Sequence, residues 1–286
     1  ALCLDISEIL IEILDESWAT DREIPPYYIY LKMAYHLASE AREGLVEFKI
    51  PKTFEESLLE FQKKAVKIAA HHLNVRGGVM IGDVVGLGKT MMATAIAKMF
   101  DDDFDTVPLI ICPKNLESMW REYCETYELR HKIIPISMVK KELPNLRRYK
   151  LVLIDESHNL RNREGIAYQT IQNYIYENDS KVILLTATPY NKTYLDLSNQ
   201  LRLFLPADKD IGIRPETLLE GMTEIKFHKK YQIKATTLEA FEKSEHPDDW
   251  RELMRLYLIR RTRSFVKNNY SKIDEFTNRK YLEFSD

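Results

Sequence analysis

The sequence predicts an α/β fold: a mostly parallel sheet with helices on both faces, preceded by a helical prefix. Two observations carry that expectation. Short apolar runs at 79–81, 107–112, 132–139, 149–154 and 181–185 alternate with segments of helical periodicity. Strands that are apolar almost throughout are covered on both faces, and helical crossovers between them make the sheet parallel. The first run also turns through glycines directly into a helix of small and apolar residues, Met91 to Met99.

The elements follow in order. Ile6, Ile9, Leu10, Ile13 and Leu14 make a helical stripe over 6–18, and Ile24-Pro25-Pro26 breaks the chain. A second helix over 27–41 has Tyr30, Leu31, Ala34, Tyr35 and Leu37 on its inner face and ends at Gly44. Neither helix carries visible chemistry, so both read as a prefix packed on the main domain. A third helix spans 54–73. After the glycine turn and its helix, Asp101-Asp102-Asp103 and Asp105 read as a solvated turn. The 107–112 strand ends at Pro113. Leu116, Met119, Trp120 and Tyr123 then form the core stripe of a helix over 114–128. Helices follow at 168–176, at 193–205 (stopped by Pro206) and at 248–263. Residues 212–234 mix charge, proline and glycine and read as an insertion, and 267–286 is a polar tail. The expected domains are a helical prefix (1–50), the α/β domain (51–265) and the start of a linker (266–286).

Composition narrows the function classes. The 286 residues are 45% hydrophobic with a net charge of −3, so a sizeable core is expected and no global basic field advertises nucleic acid. Any nucleic-acid contact must use a local patch or a part of the protein outside this sequence. Three scattered cysteines, Cys3, Cys112 and Cys124, are too few for a disulfide frame or a zinc site, and Cys112 in its apolar strand reads as a buried thiol. No apolar run is long enough to span a bilayer. Asp5, Glu8 and Glu12 interrupt the N-terminus, so no signal peptide is expected, and the expected setting is cytoplasmic. The sequence begins at Ala1 without Met, and an excised piece of something longer is the expectation.

The chemistry concentrates in the glycine turn. A strand that turns through Gly82, Gly86 and Gly88 into Lys89-Thr90 is a phosphate cradle. Backbone N–H groups and the helix dipole favour an anion there. Lys89 would reach the β- and γ-phosphates, and the Thr90 hydroxyl would hold magnesium. Asp83 stands where the strict phosphate-loop pattern has its first glycine. Leu-Val-Leu-Ile at 151–154 runs directly into Asp155-Glu156-Ser157-His158. Parallel sheets take their ligands at the carboxyl ends of strands, so both acids belong in a cleft beside the phosphate loop. The 181–185 strand ends in Thr186-Ala187-Thr188-Pro189. One helix upstream of the loop, the Gln62 amide offers one donor side and one acceptor side suited to an adenine edge.

In order, Phe61-Gln62, Asp83 to Thr90, Ile110 to Pro113, Asp155 to His158 and Thr186 to Pro189 resemble the first RecA-like lobe of helicase superfamily two. More narrowly, they resemble the Swi/Snf-type ATPases, with a bacterial or archaeal home expected. The family's phosphate loop typically starts with Asp, as at Asp83. Asn159 to Asn162 look like its basic-Asn extension. Thr188 to Asn191, leading to Leu195-Asp196-Leu197 and Phe204-Leu205-Pro206, is similar to its motif III region. Leu258 to Arg263 resembles the segment leaving the lobe. The likeness covers about 54–265.

That resemblance implies ATP and magnesium as cofactors, a second RecA-like lobe and double-stranded DNA as partners, and translocation driven by ATP hydrolysis. It implies catalytic roles for Lys89, Asp155 and Glu156, with Glu156 polarising the attacking water. It implies nucleotide binding by Gln62, Gly86, Gly88, Lys89 and Thr90, and magnesium binding by Thr90 and Asp155. Thr186 and Thr188 would report the state of the γ-phosphate. His158 either bridges toward the motif III strand or caps the next helix. Lys114, Asn115, Arg161, Asn162, Asn191 and Lys192 are the nucleic-acid candidates. Val84-Val85 replaces the family's usual Glu-Met. No second lobe follows within the sequence, so the nucleotide site is half a site. The competing readings are a nucleotide-gated binding module without turnover and an unrelated phosphate-loop kinase. The kinase gives no account of Asp-Glu-Ser-His followed by Thr-Ala-Thr-Pro.

Overall fold

The computed structural model of the chain describes residues 48–82, 88–189 and 193–260. The expected helices at 6–18 and 27–41, the tail at 267–286, and Gly86, Asn191, Lys192 and Arg261 to Arg263 lie outside the described residues.

The described residues form six parallel strands. They are β1 (Gly78–Ile81), β2 (Pro108–Cys112), β3 (Lys132–Pro135), β4 (Leu151–Ile154), β5 (Lys181–Leu185) and β6 (Leu258–Ile259), in the order β3-β2-β4-β5-β1-β6. The principal helices are α1 (Glu60–Arg76), α2 (Lys89–Phe104), α3 (Glu117–Thr126), α4 (Ile166–Asn178), α5 (Leu195–Leu201), α6 (Glu224–Tyr231) and α7 (Pro247–Tyr257).

Side-chain alternation along the strands builds two cores. Val79, Ile81, Ile110, Cys112, Leu151, Leu153, Ile183 and Leu185 pack with α1, α2 and α3. Their neighbours Met80, Leu109, Ile111, Val152, Ile154, Val182 and Leu184 pack with α4, α5 and α7. These four strands therefore have no polar face, which is why their runs read as continuous in the sequence. Helices cover both faces, as expected of the fold class.

The boundaries differ from expectation where tertiary partners compete with local propensity. The helix expected from 54 begins at Glu60, after one turn at Lys52–Glu55. The Gln62 side-chain carbonyl accepts the Leu59 N–H at 2.9 Å and fixes that start. Lys114–Leu116 is a 3₁₀ turn before α3. β3 ends at Pro135, and the rest of 132–139 turns into Ile136–Met138 and the helix at Val139–Glu142. The helix expected over 193–205 is Leu195–Leu201. Residues 212–234 hold the short helix Glu216–Glu220 and α6, whose Phe227 makes a small satellite core with Ala235 and Ala240.

Two differences matter more. The acidic turn at 101–105 is not simply solvated: Asp101 is buried in the last turn of α2 and takes Arg130 Nε at 2.9 Å. The helix expected over 248–263 stops at Tyr257. Leu258 and Ile259 then add to the free edge of β1, opposite Met80 and Ile81, and the Gly82 N–H donates to the Ile259 carbonyl at 2.8 Å. An unpaired strand edge offers hydrogen bonds that a continued helix would leave unmade.

Candidate functional site

The register of the sheet brings the chemistry-bearing residues to one edge. Ile81 pairs with Leu185, Leu184 with Ile154, and Ile154 with Ile111. The next residues, Gly82, Thr186, Asp155 and Cys112, therefore end their strands together. Asp155 N–H donates to Ile111 O at 2.8 Å, and Thr186 N–H to Ile81 O at 3.1 Å. Only β5 lies between β1 and β4. At ordinary strand spacing the phosphate-loop strand and the acidic-box strand are thus about 10 Å apart.

Gly88 opens α2 in the left-handed region, φ 79. The backbone angle favours glycine, and a β-carbon there would come 2.5 Å from Gln62 Nε2, so that side chain would have to shift. Among the described residues no side chain caps α2 and no acid sits in its first turn. A 16-residue helix thus presents its N-terminal N–H groups at the sheet edge, as an anion cradle requires. Lys89 and Thr90 stand in that first turn. Gln62 is buried, with its carbonyl committed to the start of α1 and its Nε2 turned toward Gly88.

The acidic box is held tightly. Asp155 is buried, and both its oxygens are engaged: Trp120 Nε1 donates to Oδ2 and the Glu156 N–H to Oδ1, each at 2.8 Å. Burial raises its pKa, and the neighbouring Glu156 charge adds to the rise. The two hydrogen bonds and the Lys89 charge oppose it. Lys89 and Asp155, 66 positions apart in sequence, are thus electrostatic neighbours. Glu156 adopts φ 50, ψ 48, a left-handed conformation that side-chain-bearing residues rarely take. Such strain persists only where the surroundings impose it, and it gathers at functional sites. Glu156 Oε2 lies 3.0 Å from His158 Nδ1. Cys112, one strand over, is a free buried thiol whose pKa burial and the Asp155 charge push up to about 12, far from a reactive thiolate.

The threonine-proline loop is wired to the box by other residues than His158. Ser157 Oγ donates to Gln200 Oε1 at 2.8 Å, and Gln200 Nε2 donates to the Pro189 carbonyl at 2.9 Å. Arg161 Nη2 donates to the Thr188 carbonyl and to Thr188 Oγ1, the latter at 3.2 Å. Thr186 is fully buried, and its Oγ1 accepts the Thr188 N–H at 3.1 Å. His158 sits in the 3₁₀ turn Ser157–Leu160, and its ring faces Glu156.

The nucleic-acid candidates divide. Lys114 and Asn115 are exposed in the turn that follows β2, on the edge that carries the acids. Asn162 is exposed, with its Oδ1 taking the Glu164 N–H at 3.0 Å. Arg161 is partly exposed, and its guanidinium is engaged with Thr188 within the chain. Sequence reading missed Trp120, Ser157 and Gln200. A buried Trp or Gln needs a hydrogen-bond partner, and that requirement was the available signal.

No family model matches the chain. The SWI/SNF-related matrix-associated actin-dependent regulator of chromatin subfamily A-like protein 1 homolog of Caenorhabditis elegans is 27% identical over 173 residues, 52% of this chain and 24% of that protein. The DNA annealing helicase and endonuclease ZRANB3 of Mus musculus is 27% identical over 185 residues, 55% of this chain and 17% of that protein. Helicase SWR1 of Eremothecium gossypii is 22% identical over 268 residues, 78% of this chain and 17% of that protein. The chain spans a quarter or less of these relatives' length. Among solved structures, the Sulfolobus solfataricus SWI2/SNF2 ATPase core in complex with dsDNA matches with a TM-score of 0.53 and 19% identity, covering 76% of this chain and 46% of that one. The fold is that of an α/β RecA-like lobe, and the sequence relatives are SWI/SNF-related helicases, as the motifs imply.

Proposed function

We propose that the chain is the ATP-binding lobe of an ATP-dependent translocase that moves on double-stranded DNA. One observation carries this reading: Lys89, at the N-terminus of α2, and Asp155-Glu156, at the end of β4, share one sheet edge and interact electrostatically. The relatives' names support the DNA part of it. On this reading residues 51–265 are the lobe, 266–286 begin a linker, and a second RecA-like lobe completes the site in the full-length protein. A cytoplasmic setting is part of the same reading.

The residues suit a magnesium–nucleotide. Thr90 and Asp155 supply a hydroxyl and a carboxylate, the hard oxygens magnesium takes alongside phosphate. The metal would neutralise phosphate charge when bound. Gly86, Gly88 and the first N–H groups of α2 cradle the phosphates, and Lys89 balances the charge that develops on the γ-phosphoryl. Gln62 lies at the loop and contacts the base. Glu156, in its left-handed conformation, orients the attacking water and takes up its proton. Thr186 and Thr188, tied to the box through Ser157, Gln200 and Arg161, pass the state of the γ-phosphate onward. Lys114, Asn115, Arg161, Asn162, Asn191 and Lys192 would supply the DNA-backbone contacts, which are sequence-independent and salt-sensitive.

The test is ATP hydrolysis by the full-length protein with and without duplex DNA. Stimulation by DNA that falls as salt rises is expected, with Glu156→Gln binding nucleotide but turning none over. Full turnover by Glu156→Gln would remove Glu156 from its role. Residues 1–286 alone are expected to hydrolyse almost nothing, because half the site lies on the second lobe. Robust DNA-stimulated turnover by this piece would refute the half-site reading.

A further inference from the structure

Helix α5 carries a buried glutamine between the two segments whose communication the proposed function requires. We propose that Gln200 is a positioning residue of the ATPase reaction. It transmits the position of the acidic box to Pro189 of the threonine-proline loop. This inference rests on the function proposed above.

The polar groups at this point are matched one to one. Gln200 is fully buried, and so is Ser157. A glutamine amide has one acceptor and two donor hydrogens. Its Oε1 accepts from Ser157 Oγ at 2.8 Å. Its Nε2 donates to the Pro189 carbonyl at 2.9 Å and to the Asp196 carbonyl, one turn back in α5, at 3.1 Å. Turning the amide over would set its oxygen against two carbonyl oxygens, so only one orientation fits. Leu197 and Leu201 flank it on the same short helix, and both are buried. An apolar residue would fill the space without any of these bonds, so packing by itself does not account for a glutamine.

The ends of this bridge belong to different segments. Ser157 follows Glu156 of the box, whose backbone is left-handed. Pro189 follows Thr188, which Arg161 grips from the other side. Arg161 is only partly buried, so water competes for its bonds. The bonds of Gln200 are shielded, and losing one leaves a buried group unpartnered. A shift of Ser157 during turnover must therefore carry Gln200 and Pro189 with it or break buried bonds.

The experiment measures ATP hydrolysis by the full-length protein with and without saturating duplex DNA for wild type, Gln200→Met, Ser157→Ala and the double variant, with melting temperatures alongside. Gln200→Met keeps the volume and loses all three bonds. Each single variant is expected to lower the stimulation by DNA about tenfold, with the KM for ATP within about twofold of wild type. The double variant is expected to lose no more than the singles, because both remove one link. A folded Gln200→Met with wild-type stimulation, or additive losses in the double variant, overturns the inference. If Gln200→Met does not fold, Ser157→Ala, which deletes one hydroxyl, decides alone: unchanged stimulation overturns the inference. A wild-type protein indifferent to DNA overturns the proposed function itself, and this inference with it. A responsive wild type with unaffected variants overturns only the inference.

Discussion

Two acids in this chain, Asp155 buried and Glu242 half-buried, are treated in opposite ways. Glu242 lies behind α5, where Arg202 grips it with two bonds of 2.7 Å, Arg163 Nη2 adds one at 2.5 Å and Ser198 Oγ adds another. Burial pushes its carboxyl up, but the bonds from Arg202, Ser198 and Arg163 overcome that and hold it at about 2. Asp155, at the sheet edge, has one indole N–H and one backbone N–H, with Lys89 nearby. There burial wins and the pKa rises. Glu242 is compensated from within the chain, whereas Asp155 is left short of positive charge. A structural acid needs nothing further, and an acid short of cations is one that a metal-bound ligand can satisfy. Perturbation by desolvation together with a specific charge partner, at a strand end, is also how functional groups are recognised.

The largest effect that could break this contrast is at Lys89. Lys89→Ala in the full-length protein is expected to lower ATP turnover on the order of a thousandfold, since it removes a preorganised charge from the reacting phosphate. Its melting temperature is expected to stay near wild type. Turnover retained by Lys89→Ala would mean that the sheet edge is not poised for a nucleotide. Glu242→Ala should behave in the reverse way. It leaves Arg202, whose side chain is 14% exposed, without its main partner, and a stability loss of about 3 kcal/mol is expected in urea unfolding.

Acid should separate the two residues next. The folded pKa of Glu242, about 2, lies below its ordinary value of 4.5. Its contribution to stability is therefore fully present above pH 4.5 and disappears as pH falls toward 2, a loss of about 3 kcal/mol. Asp155 has the opposite sign. With its folded pKa raised, its share of stability is greatest at low pH and falls as pH rises through that pKa. Urea unfolding between pH 2 and 5 should show the Glu242 loss, and Glu242→Gln should flatten that part of the curve.

How much of this was legible in the sequence depends on the range of the interactions. The 181–185 strand matched to the residue, because a run buried on both faces carries its own signal. The sheet-edge convergence was legible as well: strand ends, glycines and paired acids are local features that a parallel sheet must gather on one side. What stayed hidden was set by contacts distant in sequence. Trp120 reads as core by its spacing, yet its indole N–H reaches Asp155, 35 positions away. Asp101 reads as solvated until Arg130 is placed beside it. The Leu258–Ile259 strand is invisible to periodicity, because the free edge of β1 creates it. Gln200 sits in a stripe of leucines, and only its polarity hints at a bridge.

The smallest predicted effect sharpens the comparison most. Trp120→Phe removes the one side-chain hydrogen bond that Asp155 receives among the described residues and keeps most of the ring. Stability should fall by about 1 kcal/mol, the worth of one buried hydrogen bond. The Asp155 pKa, already raised by burial, should rise further once the indole no longer holds the charged form. Affinity for magnesium–nucleotide should then weaken more at pH 5.5 than at pH 8, since a protonated carboxyl is a poor magnesium ligand. Titrating nucleotide into wild type and variant across that pH range reads the difference. A variant that melts earlier but keeps the wild-type pH profile would reduce Trp120 to packing. A profile displaced to higher pH would make it the residue that keeps Asp155 ionised, filling for Asp155 part of the role that Arg202 fills for Glu242.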